Sequence, residues 1–347
     1  MNRIFISCCL LVLLAGCGSS STETEIVSQT LQHETIKIPD LLLGSPGGIQ
    51  KMGDGLLIMD YKSDSMFHYV NLKQKKYVGQ FGAKGQGPDE FIHPTSLQPY
   101  DDKTVCGYDV MKQEIKMMEW DSLNNRMKSS TVKKWTDAWS FDVIPYGQDQ
   151  FVGNGCFNDS MFAVFDNQGV PVDRAGEYPY KDENERKISV FNRALAYQGT
   201  IRVTPKGRLA FATMCAKMLF LYEIRDRHLV RNKVVIDRYA DYKPDYSGGQ
   251  ASYSVVHNGK LPVCYRDLSV TESRIYALYS GRSFKDYGLA EWECGYIYVY
   301  DWAGNRLALY QLDLPLLCFC VDEQSGIIYG IANNPEPTLV CFPLPQS

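Results

Sequence analysis

One short apolar strand recurs six times along this chain, and that recurrence limits the fold more than any other feature. It appears as Leu56-Leu-Ile-Met-Asp, Thr104-Val-Cys-Gly-Tyr-Asp, Gln150-Phe-Val-Gly-Asn, Arg208-Leu-Ala-Phe-Ala, Arg274-Ile-Tyr-Ala-Leu-Tyr and Gly326-Ile-Ile-Tyr-Gly-Ile. Most copies are entered through a Gly or Asp turn. Each is followed by a polar turn and a second strand, such as Ser65-Met-Phe-His-Tyr-Val or Lys217-Met-Leu-Phe-Leu-Tyr. The copies start about 46 to 66 residues apart, near the period of a four-stranded blade. Hairpins are legible at 162–172 and 296–310, where β-branched and aromatic runs flank Asn/Gly turns. Helical periodicity is nearly absent. The expectation is an all-β, six-bladed β-propeller with four antiparallel strands per blade, an arrangement that leaves only short edges open.

Such a ring must close. The last unit supplies three strands, Leu316 to Val321, Gly326 to Ile331 and Thr338 to Phe342, and then ends. The leading stretch Gln32-His-Glu-Thr-Ile-Lys-Ile-Pro is strand-like and has no partner in the first blade. It is expected to complete the last blade from outside. The innermost strands are expected at Gly47–Met52, Thr95–Pro99, Ser140–Ile144, Thr200–Thr204, Arg266–Val270 and Leu317–Val321. That assignment brings Asp142, Arg266 and Asp267 toward the central channel.

The start of the chain addresses it to a cell envelope. Met-Asn-Arg precedes an apolar run from Ile4 to Leu14, and then Leu14-Ala-Gly-Cys17 follows. A charged opening, a short apolar segment and small residues make a secretory signal peptide. The run is too short to span a bilayer, which takes ~20 apolar residues. Leu-Ala-Gly-Cys resembles the bacterial lipobox, which implies that 1–16 are removed and that Cys17 carries lipid. Residues 17–30 then read as a small, polar tether and 31–347 as one propeller domain. Gly18 after the cysteine gives no inner-membrane retention signal, so the outer membrane is the expected location, with the lipid as the membrane contact. The formal charge of the 347 residues is -4 and no Lys/Arg block stands out, so no nucleic-acid partner is expected. Eight of the eleven cysteines lie beyond the leader and form no CxxC pair. They read as small buried hydrophobes, although an oxidising compartment permits disulfides.

Residues 81–94 read Phe-Gly-Ala-Lys-Gly-Gln-Gly-Pro-Asp-Glu-Phe-Ile-His-Pro. This resembles the interblade signature of NHL-type propellers, in which a Gly-rich turn leads through Gly-Pro-x-Glu-Phe to a Pro that opens the next blade. With the lipobox, the six repeats and the run Ile275-Tyr-Ala-Leu-Tyr-Ser-Gly-Arg282, the chain from about 31 to 345 resembles the TolB-like six-bladed propeller lipoproteins of Bacteroidetes, the BF3164-like group. The resemblance implies a fold and a location and no chemistry.

Three long insertions fall at loops that a propeller sends to one face. Residues 178–197 join the third and fourth blades, 239–263 the fourth and fifth, and 281–294 lie within the fifth. Loops on one face of a repeat array often form its binding face. Arg193, Tyr197, Tyr246, Arg282, Tyr287 and Trp292 are the candidate contacts there, because Tyr, Trp and Arg suit sugar stacking and protein anchoring. The competing expectation is that these loops only pack on one another. Catalytic motifs are missing from the sequence: the five histidines are scattered, none in HExxH, and no serine sits in Gly-x-Ser-x-Gly. Two channel carboxylates are too few for a divalent-cation site, so no metal and no cofactor are expected. The sequence favours a lipid-anchored module that binds or scaffolds an envelope protein or glycan. The alternative is a propeller enzyme of lactonase, lyase or glycosidase type with an axial site.

Overall fold

The computed structural model describes residues 27–345, except 122, 125, 135–138, 148–149, 246–251 and 256–258. The expected signal peptide, Cys17 and most of the expected tether lie outside the described residues. Six sheets form a closed ring. Blade one contains Pro46–Met52, Gly55–Asp60, Ser65–Asn71 and Lys76–Ala83. Blade two contains Pro94–Pro99, Thr104–Asp109, Glu114–Asp121 and Arg126–Lys134, and blade three Ser140–Tyr146, Gln150–Phe157, Ser160–Phe165 and Pro171–Ala175. Blade four contains Gly199–Val203, Arg208–Thr213, Lys217–Arg225 and His228–Arg238. Blade five contains Tyr265–Val270, Ile275–Tyr279, Cys294–Tyr300 and Arg306–Leu316, and blade six Cys318–Asp322, Ile327–Asn333 and Pro337–Pro343. The first strand of each blade is innermost and packs beside the next around the axis, as the sequence predicts. Each repeated apolar segment is the second strand of its blade.

The buried side chains fall into six clusters, one between each pair of neighbouring blades. This follows from strand alternation: both faces of every blade meet a neighbour, so second strands such as Gly55–Asp60 are buried along their whole length. All eight cysteines beyond the leader are free thiols, five of them fully buried.

The ring closes through the leading segment in two places. Glu34–Thr35 pairs antiparallel with Pro337–Pro343 and supplies the fourth strand of blade six, as expected. The tether expectation needs correction at its end: Val27–Leu31 is a strand, paired in parallel with Arg306–Leu316 as a fifth strand of blade five. Its residues Ser28, Gln29 and Thr30 are exposed and polar, and so carry no hydrophobic signal. Leu31 turns inward, into the cluster between blades five and six.

The Gly-rich stretch at 81–94 leads from blade one to blade two. Phe91 N–H donates to the Ala83 carbonyl (2.9 Å) and Gly85 N–H to the Phe91 carbonyl (3.0 Å), closing the loop on itself. Lys112 and Lys116 of blade two reach up to it. Lys112 Nζ donates to Gly87 O (2.7 Å) and Lys116 Nζ to Pro88 O (2.6 Å), with the Lys116 ammonium 4.5 Å from the Phe91 ring centre. Burial, with Lys112 close by, pulls the Lys116 ammonium down to about 8. A second device recurs in blades one and two. The buried Asp60 carboxylate accepts from the backbone N–H groups of Gly44, Ser45 and Lys62 (2.6–2.9 Å). The buried Asp109 carboxylate does the same for Ile92, His93, Met111 and Lys112 (2.6–3.2 Å). Burial pushes the Asp60 carboxyl up, yet the His68 hydrogen bond and these amides hold it well below the usual carboxylate range.

Closure can be tested within the leading strand itself. Leu31→Ala should cost about 2–5 kcal/mol, the range for truncating a buried leucine, whereas Ser28→Ala on the exposed side should be nearly neutral. Urea unfolding of both variants against the parent checks this; equal effects would mean that the leading strand is not packed into the ring.

Candidate functional site

The three insertions converge on one face. Residues 178–197 form two short helices, Glu183–Arg186 and Val190–Ala196. Asp182 caps the first through the N–H groups of Asn184 and Glu185, and Ser189 caps the second through Asn192 N–H. The insertions hold each other. Lys181 Nζ lies 2.9 Å from Asp241, Ala240 N–H donates to the Tyr197 hydroxyl (3.4 Å), and Lys285 N–H donates to the Gly259 carbonyl (2.7 Å). Pro262 and Ser283 form a bridge, so the second and third insertions are stitched together.

The six rim residues named from the sequence separate into groups. Arg193 and Tyr197 turn inward and are not available to a ligand. Arg193 donates to the Tyr178 carbonyl (2.6 Å) and lies 3.7 Å from Glu177, and Tyr197 is fully buried in the cluster between blades three and four. Their positions on helix Val190–Ala196 and at its end make them struts of the insertion; a Tyr/Arg-rich loop does not reveal which way a short helix faces. Tyr246 lies outside the described residues. Arg282, Tyr287 and Trp292 do sit together in blade five. Arg282 lies over the Tyr287 ring at 5.1 Å and pairs with Glu293 at 3.3 Å. Around them, Phe284 is 51% exposed, Tyr287 54% and Leu289 81%. Phe191 on the first insertion is also exposed.

The channel mouth opens on the same face as a cavity of about 290 Å³. Its lining includes all three channel residues named from the sequence, Asp142, Arg266 and Asp267. Asp142 is buried and accepts a 2.7 Å hydrogen bond from the Ser96 hydroxyl. Burial pushes its carboxyl up to about 6, against the pull of Arg202 and the Ser96 bond. Asp267 is paired with Arg202 at 2.9 Å; burial raises its carboxyl too, and Arg202 opposes the rise. Arg266 stacks on Trp292, its guanidinium 5.0 Å from the ring centre. Rim and channel candidates therefore meet at this pair.

Reading the sequence missed Arg202 and Ser96. The signal for Arg202 was present, because a charged residue between Ile201 and Val203 on an innermost strand must face the axis or a neighbouring blade. The ring of His93, from the 81–94 motif, stacks on Tyr61 at 5.1 Å and lines the cavity. Deeper down, Gln98 of blade two donates to the Val203 carbonyl of blade four (3.0 Å). Among the described residues, no group of three or more His, Cys, Asp or Glu side chains is placed to hold a metal ion.

A closed ring with a polar axial cavity under a loop-built rim defines a six-bladed β-propeller. The sequence matches the family described as TolB-like 6-blade propeller-like over residues 24–324, and the chain belongs to that family. None of the curated proteins matches it in sequence. Among solved structures, it is similar to a Bacteroides fragilis NCTC 9343 protein described as exported (14% identity, TM-score 0.57, covering 92% of this chain and 99% of that one). It is also similar to a DUF4221-family protein of Bacteroides vulgatus (10% identity, TM-score 0.53, covering 92% and 97%). At these identities the likeness is one of fold.

Asp142 gives a pH test. A carboxyl that titrates near 6 when folded and near 3.8 when unfolded favours the folded state most below pH 4. That contribution is lost as pH rises through about 6. Asp142→Asn should therefore flatten the fall in stability between about pH 4 and 6 and raise stability at pH 7. Thermal melts across that range check both effects; an unchanged slope would place the titrating group elsewhere.

Proposed function

We propose that this chain is a lipid-anchored module of the bacterial envelope that binds or scaffolds a protein or glycan partner on its insertion-rich face. The observation that carries the reading is the rim itself. Three separate insertions converge on one face, are pinned to each other, and still leave Phe284, Tyr287 and Leu289 exposed beside the cavity mouth. Loops that served only to cover the channel would turn these side chains inward, since exposed apolar clusters mark interaction sites. Envelope placement is supported by the signal-like leader and the lipobox-like Leu14-Ala-Gly-Cys17, and by the fold shared with a protein described as exported. No helix among the described residues is long and apolar enough to cross a membrane. The outer membrane is the proposed leaflet system, with Cys17 as the point of attachment.

The enzyme reading draws on the two buried carboxylates of the cavity. It is weaker because Asp267 is committed to Arg202, which leaves Asp142 alone as an acid or base.

Two experiments test the proposal. Cys17→Ser should move the protein from the membrane to the soluble fraction and abolish labelling by radioactive palmitate; a variant still membrane-bound and labelled would remove the anchor. Crosslinked pull-down of the full chain from intact envelopes should recover a stoichiometric partner, and Phe284→Ser with Tyr287→Ala should reduce that recovery at least tenfold. Recovery unaffected by the rim substitutions would move the docking surface elsewhere.

A further inference from the structure

We infer that the axial cavity binds a small polyhydroxylated carboxylate about the size of one hexuronic acid, with Arg266 gripping the carboxylate. The inference concerns the cavity and not the rim loops, and it stands whether or not a macromolecule docks on them.

The charge arrangement comes first. Two arginines line the cavity. Arg202 is committed to Asp267. Arg266 forms no ion pair and no side-chain hydrogen bond among the described residues; its packing partner is the Trp292 ring. A guanidinium stacked on an indole keeps its in-plane N–H groups free, and that planar fork matches a carboxylate. The indole also fixes the side chain in place, which lowers the entropy cost of gripping a ligand.

The walls add the second element. Thr95 and Thr200 donate their hydroxyls to the carbonyls of Tyr108 and Arg266, so their oxygens retain lone pairs for ligand hydroxyls. Ser96 and Asp142 form a bonded hydroxyl–carboxyl pair in the same lining, and Gln198 brings both a donor and an acceptor. Phe141, Met59 and Met214 supply apolar wall for the C–H face of a ring. Size is the third element: about 290 Å³ lies just below the ~300–1,000 Å³ usual for small-molecule sites. That suits a single sugar acid.

Asp142 sets the pH behaviour. Facing it in the cavity are Arg202 and Asp267 as a neutral pair, the cationic Arg266, His93, and the Ser96 hydroxyl. With its carboxyl raised by burial, Asp142 is ionised at pH 7.5 and repels a second carboxylate; at pH 5.5 it is largely protonated and can donate to a ligand oxygen.

Isothermal titration of the full chain with D-glucuronate and D-galacturonate, at pH 5.5 and 7.5, tests this against D-glucose and acetate. The expected result is 1:1 binding of at least one uronate, at least tenfold tighter than glucose, which lacks the carboxylate, and than acetate, which lacks the hydroxyls. Affinity should be higher at pH 5.5. Arg266→Gln should abolish the preference for uronate over glucose, and Arg266→Lys should restore part of it. No uronate binding, equal binding of glucose, or an unchanged preference in a folded Arg266→Gln protein would each overturn the inference. The comparison of ligands on the parent protein holds even if the variants do not fold.

Discussion

Everything else in this molecule depends on the ring being shut. Each blade buries both faces against its neighbours, so a missing contact anywhere would open two apolar surfaces to water. Blades one to five are completed by consecutive chain and can form locally. Blade six cannot: its outer strand comes from residues 34–35 and its other three from residues 318–343. The pairing of Glu34 with Cys341 joins almost the two ends of the described chain. Contacts of such sequence separation form late and slow folding. The parallel strand at Val27–Leu31 adds a second lock on the neighbouring blade, so the leading segment staples the junction between blades five and six from outside.

Much of this was legible in the sequence because it is periodic. Second strands buried on both faces must be apolar throughout, so they repeat visibly, and the count of six follows from them. The closing strand was legible by elimination, since blade six lacked one. The parallel strand was not: Ser28, Gln29 and Thr30 are an exposed edge whose pairing is made by backbone alone. At the site, Asp142, Arg266 and Asp267 could be placed on the axis because inner strands start where the repeat dictates. Arg193 and Tyr197 could not be placed, because their orientation is set by short helices in an insertion with no repeat to read against. Composition attracts attention to such loops, but orientation there is settled by neighbours such as Tyr178 and Ala240.

Buried charge does most of its work here on backbone. Asp60 and Asp109 gather loop amides, and Lys112 and Lys116 gather loop carbonyls. Donors and acceptors that a crossing loop would otherwise leave unpaired are thereby satisfied. The Met-Asp and Tyr-Asp ends of the first two repeats were visible in the sequence, but their role as amide collectors was not. The same device positions the cavity: His93 lines the mouth where it does because Asp109 holds its backbone N–H.

The leading strand has a directional consequence. Within each blade the first strand starts on the insertion-rich face, so the fourth strand of blade five, Arg306–Leu316, runs back toward that face. Val27–Leu31 runs parallel to it, with Val27 opposite Ala308 and Leu31 opposite Leu312. The chain therefore enters the ring from the far side and climbs toward the mouth. A pull applied at Val27 would therefore act on the ring from the side opposite the mouth. The cavity and its rim lie at the opposite end of the ring from the point where the described chain enters it.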